Sequence, residues 1–275
     1  MKIIISRKGF DSQYGGQPSP ILPDGTLLSL PIPMLSDQLT FDQLSYGSKT
    51  YLEIIRELRP NTRLDDRTTC HLDPDIRKEA LRTRPQNWKA IFGQCDAAQG
   101  HLKKMEVSAG DLFLFFGWFK QTEEKEGRLQ YKPDSPDLHI IYGYLQIGEL
   151  YTCGEPFPLY TKHHTHARSK YESIQSNCIY ISRDYFSLNQ KLGGAGCLRY
   201  HPDLVLTKEG FSRSKWHLPP FFRSLKMTYH NEQSFKADYF QSVAQGQEFV
   251  IGSNEQACAW AKHLIEGNCD PADIV

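Results

Sequence analysis

No stretch of this 275-residue chain approaches the ~18 consecutive apolar residues needed to span a bilayer, so no membrane partner is expected. No Cys-x-x-Cys occurs. Cys70, Cys95, Cys153, Cys178, Cys197, Cys258 and Cys269 are scattered and odd in number, which argues against a disulfide framework or a zinc knuckle and for reduced thiols. Charge of either sign is not in excess: 32 Lys and Arg balance 32 Asp and Glu. A protein that grips long duplexes by their backbone alone is usually basic, so only a local basic face remains open. The start, Met1–Lys8, is too short in apolar residues for a secretory signal, and a cytoplasmic location is expected. Gly193-Gly194-Ala195-Gly196 lacks the flanking strand and helix of a dinucleotide loop. With no nicotinamide, flavin or nucleoside-triphosphate loop either, no cofactor is expected.

What is present is an ordinary globular composition, 39% hydrophobic and 23% charged, sufficient for a substantial core. Lys2–Ser6 is β-branched and reads as a central strand. Residues 7–36 are dense in Gly and Pro and read as an irregular surface loop, broken by a hairpin-like piece at Thr26–Leu30; loops this long are often functional. Ser48–Leu58 reads as a helix capped by Ser48 and stopped by Pro60. Asp73-Pro74 reads as the cap and first position of a short helix running to Arg82. Asn87–Phe92 and Ala97–Met105 look like short helical pieces, and strands are expected at 111–119, 138–149 and Ser176–Ser182, with Glu123–Lys132 an exposed loop. Asn254–Glu266 is the clearest helix: Asn254 can cap it, Ala257, Trp260, Ala261, Leu264 and Ile265 form one stripe, and Gly267 ends it. No linker demands two domains, so a single domain over 1–275 is expected, with its core at about 92–182.

Polar residues gather where the first strand ends. Arg7 and Lys8 could anchor phosphate or polarise a carbonyl, and Asp11 could pair with a base edge or take a proton; an internal salt bridge is the structural alternative. These three are the candidate catalytic residues, with Asp24 further along the same loop as a ligand contact. Gln94, Gln99 and His101 could read base edges, and Phe116 and Trp118 could wall a base pocket, although most strand aromatics pack a core. His71, Asp73 and Asp75 could bind a cation or move protons, but Asp73 as a helix N-cap and Asp75 near the positive helix end is the preferred reading of the aspartates. His164 and His166 would share one face of a strand, a spacing compatible with metal ligation; no third ligand is fixed by spacing, so no metal site is assigned. Arg168 and Tyr171 nearby suit a phosphate- or base-contacting loop. Ser212–Trp216 suits either backbone contact with nucleic acid or a packed tryptophan with solvated neighbours.

Two resemblances follow. Phe92–Leu102, the Gly110-Asp111 turn with the aromatic run to Trp118, and Leu138–Gly148 resemble the core of the PUA-like superfamily, which contains the EVE, ASCH and YTH domains. Ser6-Arg-Lys-Gly-Phe-Asp11, the Pro-rich stretch to Pro33, His71-Leu-Asp-Pro-Asp75, Phe92-Gly-Gln94 through Leu102, Gly110–Gly117 and Gly246-Gln-Glu-Phe-Val250 look like the nucleotide modification associated domain family, type three, in the family's order. The resemblance implies an α+β fold built on a PUA-like mixed β-barrel, with peripheral short helices and a C-terminal helix. It also implies a partner that is a nucleotide or nucleic acid with a modified base, and possible partner modification enzymes. It carries no catalytic set. The function expected is recognition or processing of a nucleotide base in DNA or RNA. The chain would act either as a reader or as an enzyme working through the 7–24 loop; a small-metabolite sensor is a third reading. Convergence of Asp11, Asp24, His71 and Asp73 on one cleft would favour the enzyme, whereas a lining of aromatics and amides would favour the reader.

Overall fold

The computed structural model describes residues 1–243 and 248–274. Gly246 and Gln247 of the last motif lie outside them. The fold is mixed α+β around a large sheet of β1 (Ile3–Arg7), β2 (Ser19–Ile21), β3 (Ile91–Gln94), β4 (Leu112–Lys125), β5 (Arg128–Tyr131), β6 (Leu138–Thr152), β7 (Cys178–Ser182), β8 (Ala195–Cys197) and β9 (Glu248–Ile251). The order along the sheet is β9-β1-β4-β6-β7-β3, with β2 and β5 added to β4 and β8 to β6. β1 is central as expected, parallel to β4 through Ile3↔Leu112 and antiparallel to β9 through Ser6↔Glu248.

The expected barrel is not closed: no backbone ladder among the described residues joins β9 to β3. The sheet instead curls until its two edge strands meet through side chains, where Gln94 Nε2 donates to Glu248 Oε1 at 2.7 Å. The curl encloses Phe92, Phe113, Phe115 and Tyr180, whose rings pack edge-on or stacked at centroid distances of 4.8–5.8 Å. Burial of several such rings is the main stabilising term, at roughly 2–3 kcal/mol each.

Four local expectations change. The first helix, α1 (Tyr51–Leu58), is capped by Thr50 rather than Ser48: Thr50 Oγ1 accepts from Glu53 N–H while the Glu53 carboxylate accepts from Thr50 N–H. No helix follows Asp73. Asp75 and Ile91 exchange both backbone hydrogen bonds, so 73–77 runs extended beside β3 and only Lys78–Ala80 makes a 3-10 turn. Pairing with β7 along its whole length, from Cys178↔Gln94 to Ile181↔Ile91, makes the end of the expected helical piece at Phe92 part of the strand β3. The expected loop at Glu123–Lys132 is a hairpin of β4 and β5, reversed at Glu126-Gly127, both with positive φ. The Ala97–Met105 expectation holds as α2 (Asp96–Lys104). Asn254 caps α3 (Glu255–Asn268) as expected, although the helix passes Gly267 by one residue. No helix of the described residues is long and apolar enough to cross a membrane.

The core also holds a pH-sensitive group. His139 is buried on β6, and its Nδ1 accepts from Trp216 Nε1 at 3.1 Å. Burial, with Arg213 and Arg7 adding, pushes its pKa down to about 3 from 6.5. The unfolded chain therefore takes up the proton first. The stability this neutral imidazole contributes is complete above about pH 6.5 and is lost as pH falls toward 3, by on the order of a few kcal/mol. Urea unfolding across that range should show a shallower acid limb in His139→Gln than in wild type. Equal slopes would mean that His139 does not titrate in the unfolding.

Candidate functional site

Residues 7–11 are held in place from below. Phe10 is buried against Phe41, with ring centroids 5.9 Å apart, and its N–H donates to Leu30 O. Gly9 makes the required bend with φ +82°, packed where a Cβ would crowd Ser29. Asp11 Oδ1 accepts from the N–H groups of Gln13 and Tyr14, which closes a tight turn. These anchors set Arg7, Lys8 and Asp11 into the wall of a cleft of about 270 Å³. Gln94 and Cys95, at the end of β3, line it too, with His71, Asp73, His166 and Tyr171.

The last four residues are brought in by irregular backbone. Cys70–His71 pairs with Ile32–Pro33, and the chain then turns along β3 with a cis Asp73–Pro74 peptide. His71 Nδ1 lies 2.7 Å from Asp37 Oδ2, which also accepts from Thr165 Oγ1. Asp73 Oδ1 accepts from Gly93 N–H at 2.7 Å, so this carboxylate ties the segment to β3 and is not a helix cap. His164 caps a 3-10 turn, Thr165–Ala167, and His166 lies within it rather than on a strand, yet both point inward and are 2% exposed. Asn177 clamps His166: its Oδ1 sits 2.7 Å from His166 Nδ1 and its Nδ2 donates to His166 O. The Tyr171 ring covers His166 at 4.3 Å between centroids.

His71 Nε2 and His166 Nε2 then face each other at 3.3 Å, and Asp73 Oδ2 lies 3.9 Å from His71 Nε2. Burial pushes the His166 pKa down to about 3, so the ring is neutral at physiological pH. Burial alone would raise the Asp73 carboxyl, but the close approach of His164 and the other imidazoles around it hold it at about 2. Asp37 behaves alike: burial raises it, and the hydrogen bond and charge of His71 outweigh that. Burial and the Asp96 carboxylate push the Cys95 thiol up to about 11, so it is not a ready nucleophile. Two imidazoles and one carboxylate therefore share a small volume, a set of groups able to move a proton or hold a cation. Among the described residues, His71, Asp73 and His166 are the group whose ligand atoms converge in this way.

Of the sequence candidates, the cleft gathers Arg7, Lys8, Asp11 and Gln94. Lys8 is already engaged, 3.0 Å from Glu248 Oε1 and 4.6 Å above the Phe92 ring, so the structural alternative of an internal salt bridge is the observed one. Six candidates lie outside the cleft lining. Asp24 is spent on its own turn, accepting from Thr26 N–H, and on Tyr46. Gln99 accepts from the Tyr180 hydroxyl inside the core, and His101 on α2 meets Thr228 Oγ1. Phe116 is buried among His139, Trp216 and Phe249. Trp118 donates to Asp137, and Arg213 covers one face of its indole at 4.0 Å. Arg168 donates to Gln38 and lines a separate cavity of about 90 Å³. Asp75 is also outside the cleft, in a two-pronged pair with Arg84. Trp216 is core rather than a nucleic-acid contact. The sequence places His71, Asp73 and His166 in separate clusters and gives no signal for Asp37 or Asn177, 34 and 11 residues from the imidazoles they hold.

No curated protein and no solved structure matches this chain. Residues 2–252 do match a family model, that of nucleotide modification associated domain 3. The chain therefore belongs to the nucleotide modification associated domain 3 family, whose description connects it with a nucleotide modification system.

Proposed function

We propose that the chain is an enzyme that processes a nucleotide base within a nucleic-acid modification system, and that the cleft between residues 7–11 and the His71–Asp73–His166 group is its active site. One observation carries this reading: groups suited to binding a nucleotide and groups suited to moving a proton line the same cleft. Arg7 offers a forked donor to phosphate beside the Asp37–His71 pair, while both ends of the Gln94 amide are engaged by Glu248 and Cys95 N–H. Of the residues whose convergence would favour an enzyme, Asp11, His71 and Asp73 line the cleft and Asp24 does not; the aromatics proposed for a reader, Phe116 and Trp118, point elsewhere, although Tyr14 and Tyr171 line it. The curl of the sheet, with its edges bridged by Gln94 and Glu248, supports a PUA-like ancestry of the scaffold and a single domain. Modification enzymes acting on the same base are the partners this reading implies.

The test combines binding and turnover. Thermal unfolding is followed with modified and unmodified nucleosides, nucleotides and short oligonucleotides, and the same mixtures are then analysed by mass spectrometry for altered bases. Stabilisation by one ligand, with a new base product, is the expected result. Asp73→Asn should retain that ligand and lower turnover by about 10²-fold or more. Stabilisation without any product would favour the reader. A folded protein indifferent to every nucleotide and oligonucleotide would end this reading in favour of a small metabolite.

A further inference from the structure

We propose that His71 Nε2, His166 Nε2 and the Asp73 carboxylate bind one divalent transition-metal ion, of the zinc or iron(II) class, with its remaining coordination positions open to the cleft. The ligand atoms of the three residues all lie within 4.8 Å of one another. A tetrahedral ion with ~2.1 Å bonds sets its ligands ~3.4 Å apart. The two Nε2 atoms are already at 3.3 Å, Asp73 Oδ2 is 3.9 Å from His71 Nε2, and a carboxylate closing on an ion from within 4.8 Å completes the set by a small side-chain shift.

Hydrogen bonding around the group fixes which atoms are bare. Asn177 Nδ2 donates to His166 O, so its Oδ1 is the atom facing His166 Nδ1, and that ring nitrogen must carry the proton. Asp37 imposes the same tautomer on His71, since a carboxylate oxygen at 2.7 Å from Nδ1 accepts a proton donor. Both Nε2 atoms therefore present lone pairs, and they present them to each other. With both rings neutral, two lone pairs at 3.3 Å in a buried site repel; a proton or a metal ion between them removes the repulsion, and the Asp73 carboxylate converging on the same point favours the metal. Histidines whose outer nitrogens are held by a carboxylate and an amide, with inner nitrogens aimed at a common point, have the outer-sphere arrangement of metal sites.

The carboxylate is prepared in the same way. His164 Nδ1 accepts from His166 N–H, which leaves the proton on His164 Nε2, 3.3 Å from Asp73 Oδ1. That approach is too oblique for a full hydrogen bond, and His164 Nε2 is otherwise buried without a partner. Together with Gly93 N–H it holds Oδ1, leaving Oδ2 for the ion. The set also selects the ion. Magnesium and calcium prefer cages of oxygen, whereas two imidazoles and one carboxylate suit zinc, iron(II) or their neighbours. Three protein ligands leave positions for water or for a substrate atom, the arrangement of catalytic centres rather than structural ones.

The test uses the full chain, stripped with a chelator and studied without any nucleotide, so its outcome is independent of the proposed function. Calorimetric titration with zinc, and with iron(II) under anaerobic conditions, should show one equivalent bound, with magnesium at least 10³-fold weaker. Cobalt(II) substitution should give d–d bands of a nitrogen–oxygen site. His71→Ala should abolish binding while circular dichroism confirms the fold, and Asp37→Asn, which removes only the support of His71, should weaken it by about 10–100-fold. A folded wild type that takes up no transition metal would overturn the proposal. So would a thiolate-to-cobalt charge-transfer band, which would put the ion on cysteine, or unchanged affinity in His71→Ala.

Discussion

Glu248→Ala is expected to lower the unfolding free energy by about 3–5 kcal/mol, because it strands a buried lysine. The Glu248 side chain is 1% exposed and that of Lys8 10%, with Lys8 Nζ 3.0 Å from Oε1. The same oxygen accepts from Gln94 Nε2 at 2.7 Å, so one substitution removes the acceptor of two donors. It also removes the bridge between β9 and β3, the two edges of the curled sheet. Exposed ion pairs contribute ~1 kcal/mol or less, and the larger figure here comes from the desolvated charge left behind, not from the pair's net contribution. The double replacement Lys8→Met with Glu248→Leu should therefore be less damaging than Glu248→Ala alone. Urea unfolding of the single and double variants checks this. A loss under about 1 kcal/mol in Glu248→Ala would mean that water reaches the pair and that Lys8 remains available to a phosphate after all.

That pair also marks where sequence reading reached its limit. Ile3–Ile5 announces a buried strand by its β-branched run, and Asn254 with the stripe through Ile265 announces a helix, because both signals are local. The polar residues at the end of β1 were legible for the same reason: a strand end followed by Arg7, Lys8 and Asp11 is a local pattern. What Lys8 faces was not, since Glu248 lies 240 residues away and only the sheet's register brings it alongside. Asn87–Phe92 reads as helical because so short a piece shows no period, and the partner that makes Ile91–Gln94 a strand is Cys178–Ser182, more than 80 residues away, with Asp75 adding a single bridge. The cleft's histidines failed in the same manner. His71 and His166 are 95 residues apart, and their convergence depends on a 3-10 turn and an extended segment, neither of which has a sequence period to read.

Gly93→Ala is expected to destabilise the protein by about 1–3 kcal/mol and, on the proposed function, to lower turnover by about 10²-fold, and the sign is the informative part. Gly93 lies within β3, paired with Ile179, and has no positive φ to require glycine. On backbone grounds alone alanine should be the better strand residue, by roughly 0.5–1 kcal/mol. Space decides otherwise, because a Cβ at this position would overlap the His166 ring. That ring cannot retreat cheaply. Asn177 holds it from both its Nδ1 and its backbone carbonyl, and Tyr171 covers it. Any shift therefore breaks the clamp and moves Nε2 away from His71 and Asp73, and Gly93 N–H, which steadies Asp73, moves with the strand. A displacement of ~1 Å at a reacting group costs about 10²-fold in rate. Thermal unfolding and turnover measured on the same preparation separate the two consequences. A Gly93→Ala protein as stable and as active as wild type would show that the His166 ring is not wedged against β3, and the convergence of the two imidazoles on Asp73 would lose its structural support.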